Sequence, residues 1–184
     1  IIGDVLTEVY GYGAARKAIW LGFACNLVVV GVTWLSIALP AAPAWSLPTL
    51  DSAEASQRAY AAVLGMAPRI VLASLLAYLV GEFLNAAVLA KLKIATRGRF
   101  LWVRTIGSTL VGQLADSLIF ITIAFAGLVP GRVLGLMVVA QWLVKGGFEA
   151  LATPVTYAVV ARLKAIVGED RYDRGVSLSP LRWR

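Results

Sequence analysis

Four long apolar runs, each poor in charge, decide what this chain can fold into. Residues 18–39 carry no charged side chain, and residues 67–92, 101–128 and 133–166 carry only a few. About 20 apolar residues suffice to cross roughly 30 Å of hydrocarbon. A soluble globule would need polar sequence to cover four such runs. Here 60% of residues are hydrophobic and 15% charged, against roughly 45–50% and about 25% in an ordinary soluble domain. The expected fold is therefore all-α, a polytopic transmembrane helix bundle forming a single domain over 1–184. Its spans fall near 18–39, 67–92, 101–128 and 133–166, with 1–12 as the end of a further, partial span. The last run is too long for one perpendicular crossing; Pro154 is an expected kink and Gly146-Gly147 a second weak point. The chain opens on Ile1-Ile2 rather than Met, so its true start is expected to lie upstream.

Several chemistries are excluded by composition. With no histidine, neither a His base nor a Ser-His triad can be assembled. One cysteine, Cys25, excludes an intrachain disulfide and a cysteine metal cluster. No GxxxxGK[ST] loop is present. The expectation is no metal, no cofactor and no enzyme.

Thirteen of the seventeen Lys and Arg fall on one set of alternating connections. These are Arg16 and Lys17 in an expected turn, then Lys91, Lys93, Arg97, Arg99 and Arg104, then Arg162, Lys164, Arg171, Arg174, Arg182 and Arg184 in the tail. Only Arg58, Arg69 and Arg132 lie on the other side, and Lys145 is within a span. The positive-inside rule places the basic loops and the C-terminus in the cytoplasm. The net charge of +7 thus reads as topology and contact with anionic lipid, not as a nucleic-acid surface. Outside, 40–66 reads as an amphipathic loop. Asp51 or Ser52 caps a short helix through Leu64, Glu54 and Arg58 stand at i,i+4, and Trp45, Leu50, Tyr60, Val63 and Leu64 lie on the membrane surface. Trp45, Trp102 and Trp183 fit an interfacial belt.

The informative residues are the polar ones at membrane depth. A charge at the bilayer centre costs about 2.5–3.5 kcal/mol even on the milder scale. At about 1.5 Å per helical residue, Glu82 sits roughly 14 Å from Lys91 and Asp116 roughly 18 Å from Arg104, near the midplane. Glu82 and Asn85 share a face at i,i+3, as do Gln113 and Asp116; Lys145 with Glu149 and Asp4 with Glu8 share one at i,i+4. Ser108, Gly112 and Asp116 form a ridge whose small residues permit close helix approach. One buried acid paired with Lys145 fixes helix register. Three midmembrane acids exceed what one lysine neutralises, so the surplus is protonated, solvated or met by a ligand's donors. A flat base with adjacent ring N–H and amine suits such a site, with Trp142, Phe120, Tyr78, Phe83 and Tyr10 as candidate stacking faces.

Four motifs in order carry a resemblance: Asp4-x-x-x-Glu8-x-Tyr10-Gly11; Gly81-Glu82-x-x-Asn85 followed by Lys91-Leu92-Lys93; the run from Arg104-Thr105-Ile106-Gly107-Ser108 through Gly112-Gln113-Leu114-Ala115-Asp116-Ser117; and Lys145-x-x-x-Glu149-Ala150-Leu151-Ala152-x-Pro154. Together they resemble the queuosine precursor transporter family (YhhQ/VUT) over essentially the whole chain. The resemblance implies import of 7-cyano- and 7-aminomethyl-7-deazaguanine across a bacterial inner membrane for tRNA queuosine salvage. It also implies a six-helix protein, of which one full N-terminal span and part of the next are absent here. The expected substrate-binding set is Asp4, Glu8, Glu82, Asn85, Gln113, Asp116, Lys145 and Glu149. The expected partners are a purine-like base and membrane lipid, the chain acting alone or as a homodimer. The alternative is a substrate-binding S component of an energy-coupling-factor vitamin transporter, which needs a scaffold and ATPases; a Gly131-x-x-x-Gly135 groove would serve that role.

Overall fold

In hydrocarbon every backbone N–H and C=O must be satisfied within the segment, and for an all-apolar run the helix is the way to do it. The computed structural model describes residues 1–45, 49–65, 68–168, 172–173 and 175–181. Its helices are α1 (Ile2–Tyr10), α2 (Tyr12–Ala38), α3 (Ala53–Leu64), α4 (Pro68–Ala95), α5 (Leu101–Phe125) and α6 (Gly131–Val167). The molecule is thus an all-α bundle in which α2, α4, α5 and α6 are long and apolar enough to cross a membrane. The expected belt residue Trp183, the tail arginines Arg171, Arg174, Arg182 and Arg184, and the expected span start at position 67 lie outside the described residues.

The distribution of side chains is the reverse of a soluble globule. Large apolar residues such as Leu21, Trp34, Val144 and Leu151 face outward, while Asp4, Glu8, Arg104 and Thr105 are buried. That inversion costs little when the surroundings are lipid, because apolar surface then has no water to escape.

Helices α4 and α5 form the most extensive pair, with α6 against α5, α2 against α4, and α1 set among α2, α4 and α6. The α4–α5 connection turns sharply: Arg97, Gly98 and Phe100 all have positive φ. At the opposite end, α5 passes to α6 through Gly127, also at positive φ.

Two boundaries differ from the sequence reading. The expected basic turn at Arg16 and Lys17 is helical; the break falls earlier, at Gly11 (φ 84°), and both residues lie inside α2. Glycine is needed there, since a Cβ would lie 2.9 Å from the Asp173 carboxylate as well as facing a positive φ. The run containing Pro154 is one helix of 37 residues, roughly 56 Å long, so it overshoots a bilayer without ending at the proline. Between α2 and α4 the short helix α3 ends at Leu64, as its sequence suggests. Ser52 caps α3, accepting from Ala55 N–H at 3.1 Å. Hydrogen bonds from its own backbone N–H and from Ser52 hold the exposed Glu54 carboxyl below its ordinary range, with help from the Arg58 charge. Trp45 and Tyr60 meet edge to face at 5.8 Å. The Gln57 amide donates to Ile37 carbonyl at 2.9 Å, holding α3 on the last turn of α2.

Candidate functional site

The site begins with two glycines. Helices α4 and α5 cross where Gly81 meets Gly112: a Cβ on Gly112 would lie 2.7 Å from Asn85 Cβ and 2.8 Å from the Gly81 carbonyl, and one on Gly81 would lie 2.9 Å from Asp116 Cβ. No larger residue allows this approach. The crossing places the Glu82/Asn85 face of α4 directly against the Gln113/Asp116 face of α5.

Beside this crossing lies a cavity of about 790 Å³, walled by five elements. Helix α4 supplies Tyr78 and Glu82, α5 supplies Thr109, Gln113 and Asp116, and α6 supplies Val144, Lys145, Phe148 and Glu149. Gly3 and Leu6 of α1 and Ala15, Ala18 and Ile19 of α2 complete it. The volume lies within the roughly 300–1,000 Å³ of small-molecule pockets. Lys145 and Asp116 form a salt bridge across α5 and α6. Buried Asn85 Oδ1, Gln113 Oε1 and Glu149 Oε1 have no hydrogen-bond partner among the described residues. Buried acceptors left unmet are costly, and two of these, Gln113 Oε1 and Glu149 Oε1, belong to residues that line the cavity.

The eight expected residues divide into three groups. Glu82, Gln113, Asp116, Lys145 and Glu149 line the cavity together. Asp4 and Asn85 sit beside it and bind each other, Asn85 Nδ2 donating to Asp4 Oδ1 at 2.7 Å. The nitrogen of Ile1 lies 3.1 Å from Asp4 Oδ2 and 3.7 Å from Glu149 Oε2. Glu8 stands apart. It is fully buried, and the Arg104 guanidinium grips both its oxygens, Nη2 to Oε1 at 2.7 Å and Nε to Oε2 at 3.2 Å. Lys164 Nζ adds 2.8 Å to Oε1, and Lys93 Nζ donates to the Glu8 carbonyl at 2.6 Å. So Asp4 and Glu8 share an inward face, as their spacing requires, but serve different centres.

The expected aromatic faces need correction. Of the five, Tyr78 lines the cavity. Trp142 points its indole N–H to the Leu110 carbonyl at 2.8 Å, Phe120 packs on Phe125, Phe83 packs on Trp20, and Tyr10 is exposed at the end of α1. Phe148, which the sequence reading passed over, supplies a ring instead. Its only signal was its place between Lys145 and Glu149. The sequence also counted Lys93, Arg104 and Lys164 as loop charges; the structure turns them inward onto Glu8. Gly131 and Gly135 face open space rather than a helix of this chain.

The profile of a family described as "Putative vitamin uptake transporter" matches residues 1–159. A curated protein of Bacillus subtilis (strain 168), named "Probable queuosine precursor transporter", is 36% identical over 156 residues. That match covers 84% of this chain and 64% of the relative, so the chain spans just under two thirds of the relative's length. No solved structure matches it.

Proposed function

The chain belongs to the vitamin uptake transporter family, and from that premise we propose that it carries queuosine precursors, the 7-cyano- and 7-aminomethyl-7-deazaguanine bases, into the cell across the bacterial inner membrane. The observation that carries this reading is the cavity in which Glu82, Gln113, Asp116, Lys145 and Glu149 converge. A deazaguanine presents a ring N–H and an exocyclic amine on one edge and a carbonyl beside them. Carboxylate and amide oxygens complement the first two, and Lys145 complements the third. Unmet Gln113 Oε1 and Glu149 Oε1 accept the N–H donors, which removes the cost of their burial only when a base is bound. Tyr78 and Phe148 give the flat faces that such a ring stacks on. The ammonium of the aminomethyl form adds a positive charge to a cavity with three carboxylates.

The supporting chemistry has a clear test. In proteoliposomes containing only this protein, labelled base should accumulate. Asp116→Asn and Glu82→Gln should each lower uptake at least ten-fold, about 1.4 kcal/mol of lost binding or more, while both variants remain folded in the membrane. Normal uptake by both variants rejects the site. Binding without uptake until a scaffold and ATPases are supplied would favour the energy-coupling-factor alternative.

A further inference from the structure

We infer that Glu8 and the cations gathered on it form the gate that closes the cavity on the side of the basic loops, with α1 as its moving part. This rests on the transport reading, since a gate has meaning only if the cavity must open.

The first support is position. Helix α1 lends Gly3 and Leu6 to the cavity wall. Within a turn of Leu6 comes buried Glu8, and after it Val9, which packs on Leu101 and Val160. Leu101 begins α5, and Val160 and Lys164 close α6. The ion cluster and this small apolar plug therefore lie between the cavity and the basic helix ends. Cargo leaving in that direction meets both.

The second support is connectivity. One carboxylate holds Arg104 of α5 at 2.7 Å and Lys164 of α6 at 2.8 Å, with Lys93 of α4 at 3.8 Å. Four of the helices are joined at a single side chain. The Lys93 ammonium also takes the Glu8 carbonyl, near the negative end of α1. Such a cluster is stable only in one geometry, because buried charges depend on close contact. Parted by a small movement, its members need water. It has two states, closed and dry or open and wet, as a switching element requires.

The third support is the hinge. Helix α1 is separated from α2 by Gly11, whose φ of 84° breaks the helical path. A rotation there moves Glu8 away from Arg104 and draws Leu6 from the cavity wall while α2 stays fixed. The Arg104 guanidinium stays anchored when Glu8 leaves, because its Nη1 is held by Thr96 Oγ1 at 3.3 Å and by the Arg99 carbonyl.

The test reads access, not cargo. In a Cys25→Ser background, Leu6→Cys provides a thiol on the cavity wall. Vesicles of known orientation are treated with a membrane-impermeant maleimide from the side of the basic loops. With Glu8 intact, labelling should be slow; Glu8→Gln should raise its rate at least ten-fold. Lys164→Gln, which leaves the Arg104 fork in place, should give a smaller rise, and it decides the matter if Glu8→Gln does not reach the membrane. Unchanged rates in the variants that reach the membrane overturn the proposal. A second arm links Val9→Cys to Val160→Cys with a short thiol cross-linker. The linked protein should still bind base but lose uptake at least ten-fold, with recovery on reduction; full uptake with the link complete overturns the gate. If the cargo were misassigned, uptake of these bases would be absent in every variant, while the labelling arm would still report whether the gate exists.

Discussion

The distance between α4 and α5 is set by single atoms. A Cβ on Gly112 would stand 2.7 Å from the Asn85 Cβ and 2.8 Å from the Gly81 carbonyl, so Gly112→Ala must push the helices apart. Overpacking of this kind costs about 1–3 kcal/mol. The expected result is a lower unfolding midpoint in detergent, with base binding lost as well, because Glu82 and Asp116 separate. Gly147→Ala is the matched control. Nothing lies within 4 Å of its Cβ position, and alanine in a helix is favoured over glycine by up to about 1 kcal/mol; its midpoint should hold or rise. The ion cluster gives a second prediction at this scale. Arg104→Leu leaves Glu8 buried with only its lysines, and breaking a buried pair costs about 3–5 kcal/mol. With Lys93 and Lys164 still present, the loss should fall near the lower bound, read as a reduced midpoint. The cavity acids were legible because carboxylates within apolar runs have one physical excuse, a polar interior, and their i,i+3 and i,i+4 partners share their faces. Arg104, Lys93 and Lys164 were not. A cation near a helix end looks the same in sequence whether it reaches for lipid phosphate or folds back onto an acid contributed by another helix.

Among elements, α2 shows what linear reading misses. Its N-terminus has no side-chain cap from its own neighbours. The cap comes from the tail: Asp173 Oδ2 accepts from Tyr12 N–H at 2.9 Å, across 161 positions of sequence. The same segment receives Tyr12 Oη at the Leu178 carbonyl and Arg16 Nη1 at the Ser179 carbonyl, and Trp20 Nε1 reaches the Pro180 carbonyl at 3.0 Å. The described residues of what reads as a basic tail form a strap over the first three turns of α2. Removing a carboxylate cap costs about 0.5–2 kcal/mol. Asp173→Ala should therefore raise amide exchange in the first turn of α2 several-fold and speed proteolysis of the strap, while exchange in α5 stays put. By contrast, α3 was readable to within one residue of its cap, which the sequence left between Asp51 and Ser52 and the structure gives to Ser52. Ser52 precedes an amphipathic stretch, and short-range signals of that kind need no knowledge of the fold. Ser52→Ala should raise exchange over α3 alone.

For the whole molecule, the alternation of basic and neutral connections predicts a direction of insertion that the helix packing does not contain. The ends of α4 and α6 and the start of α5 hold Lys91, Lys93, Arg162, Lys164, Arg97, Arg99 and Arg104, whereas the opposite ends hold Arg58, Arg69 and Arg132. Insertion is decided while the chain is still unfolded, so Arg104 and Lys93 count toward orientation even though both end buried. On the sparse side, the exposed Arg69 guanidinium donates to the Ile123 and Ala126 carbonyls at the end of α5, closing that helix rather than seeking headgroups. The expected topology follows from the count alone, with 40–66 outside and 96–100 inside. In a Cys25→Ser background, Arg58→Cys should react with an impermeant maleimide added to intact cells, and Arg97→Cys only after the membrane is opened. Orientation should also be reversible by charge but not by packing. Moving three lysines into the 40–66 loop while neutralising Lys91, Arg97 and Arg99 should yield a mixed population labelled from both sides, since Arg99 meets Arg104 of the Glu8 cluster through its backbone carbonyl, which the neutralising change keeps. A population that stays uniform after that exchange would show that something other than charge sets the direction, and which face the basic-loop gate opens on would then be read from the labelling pattern.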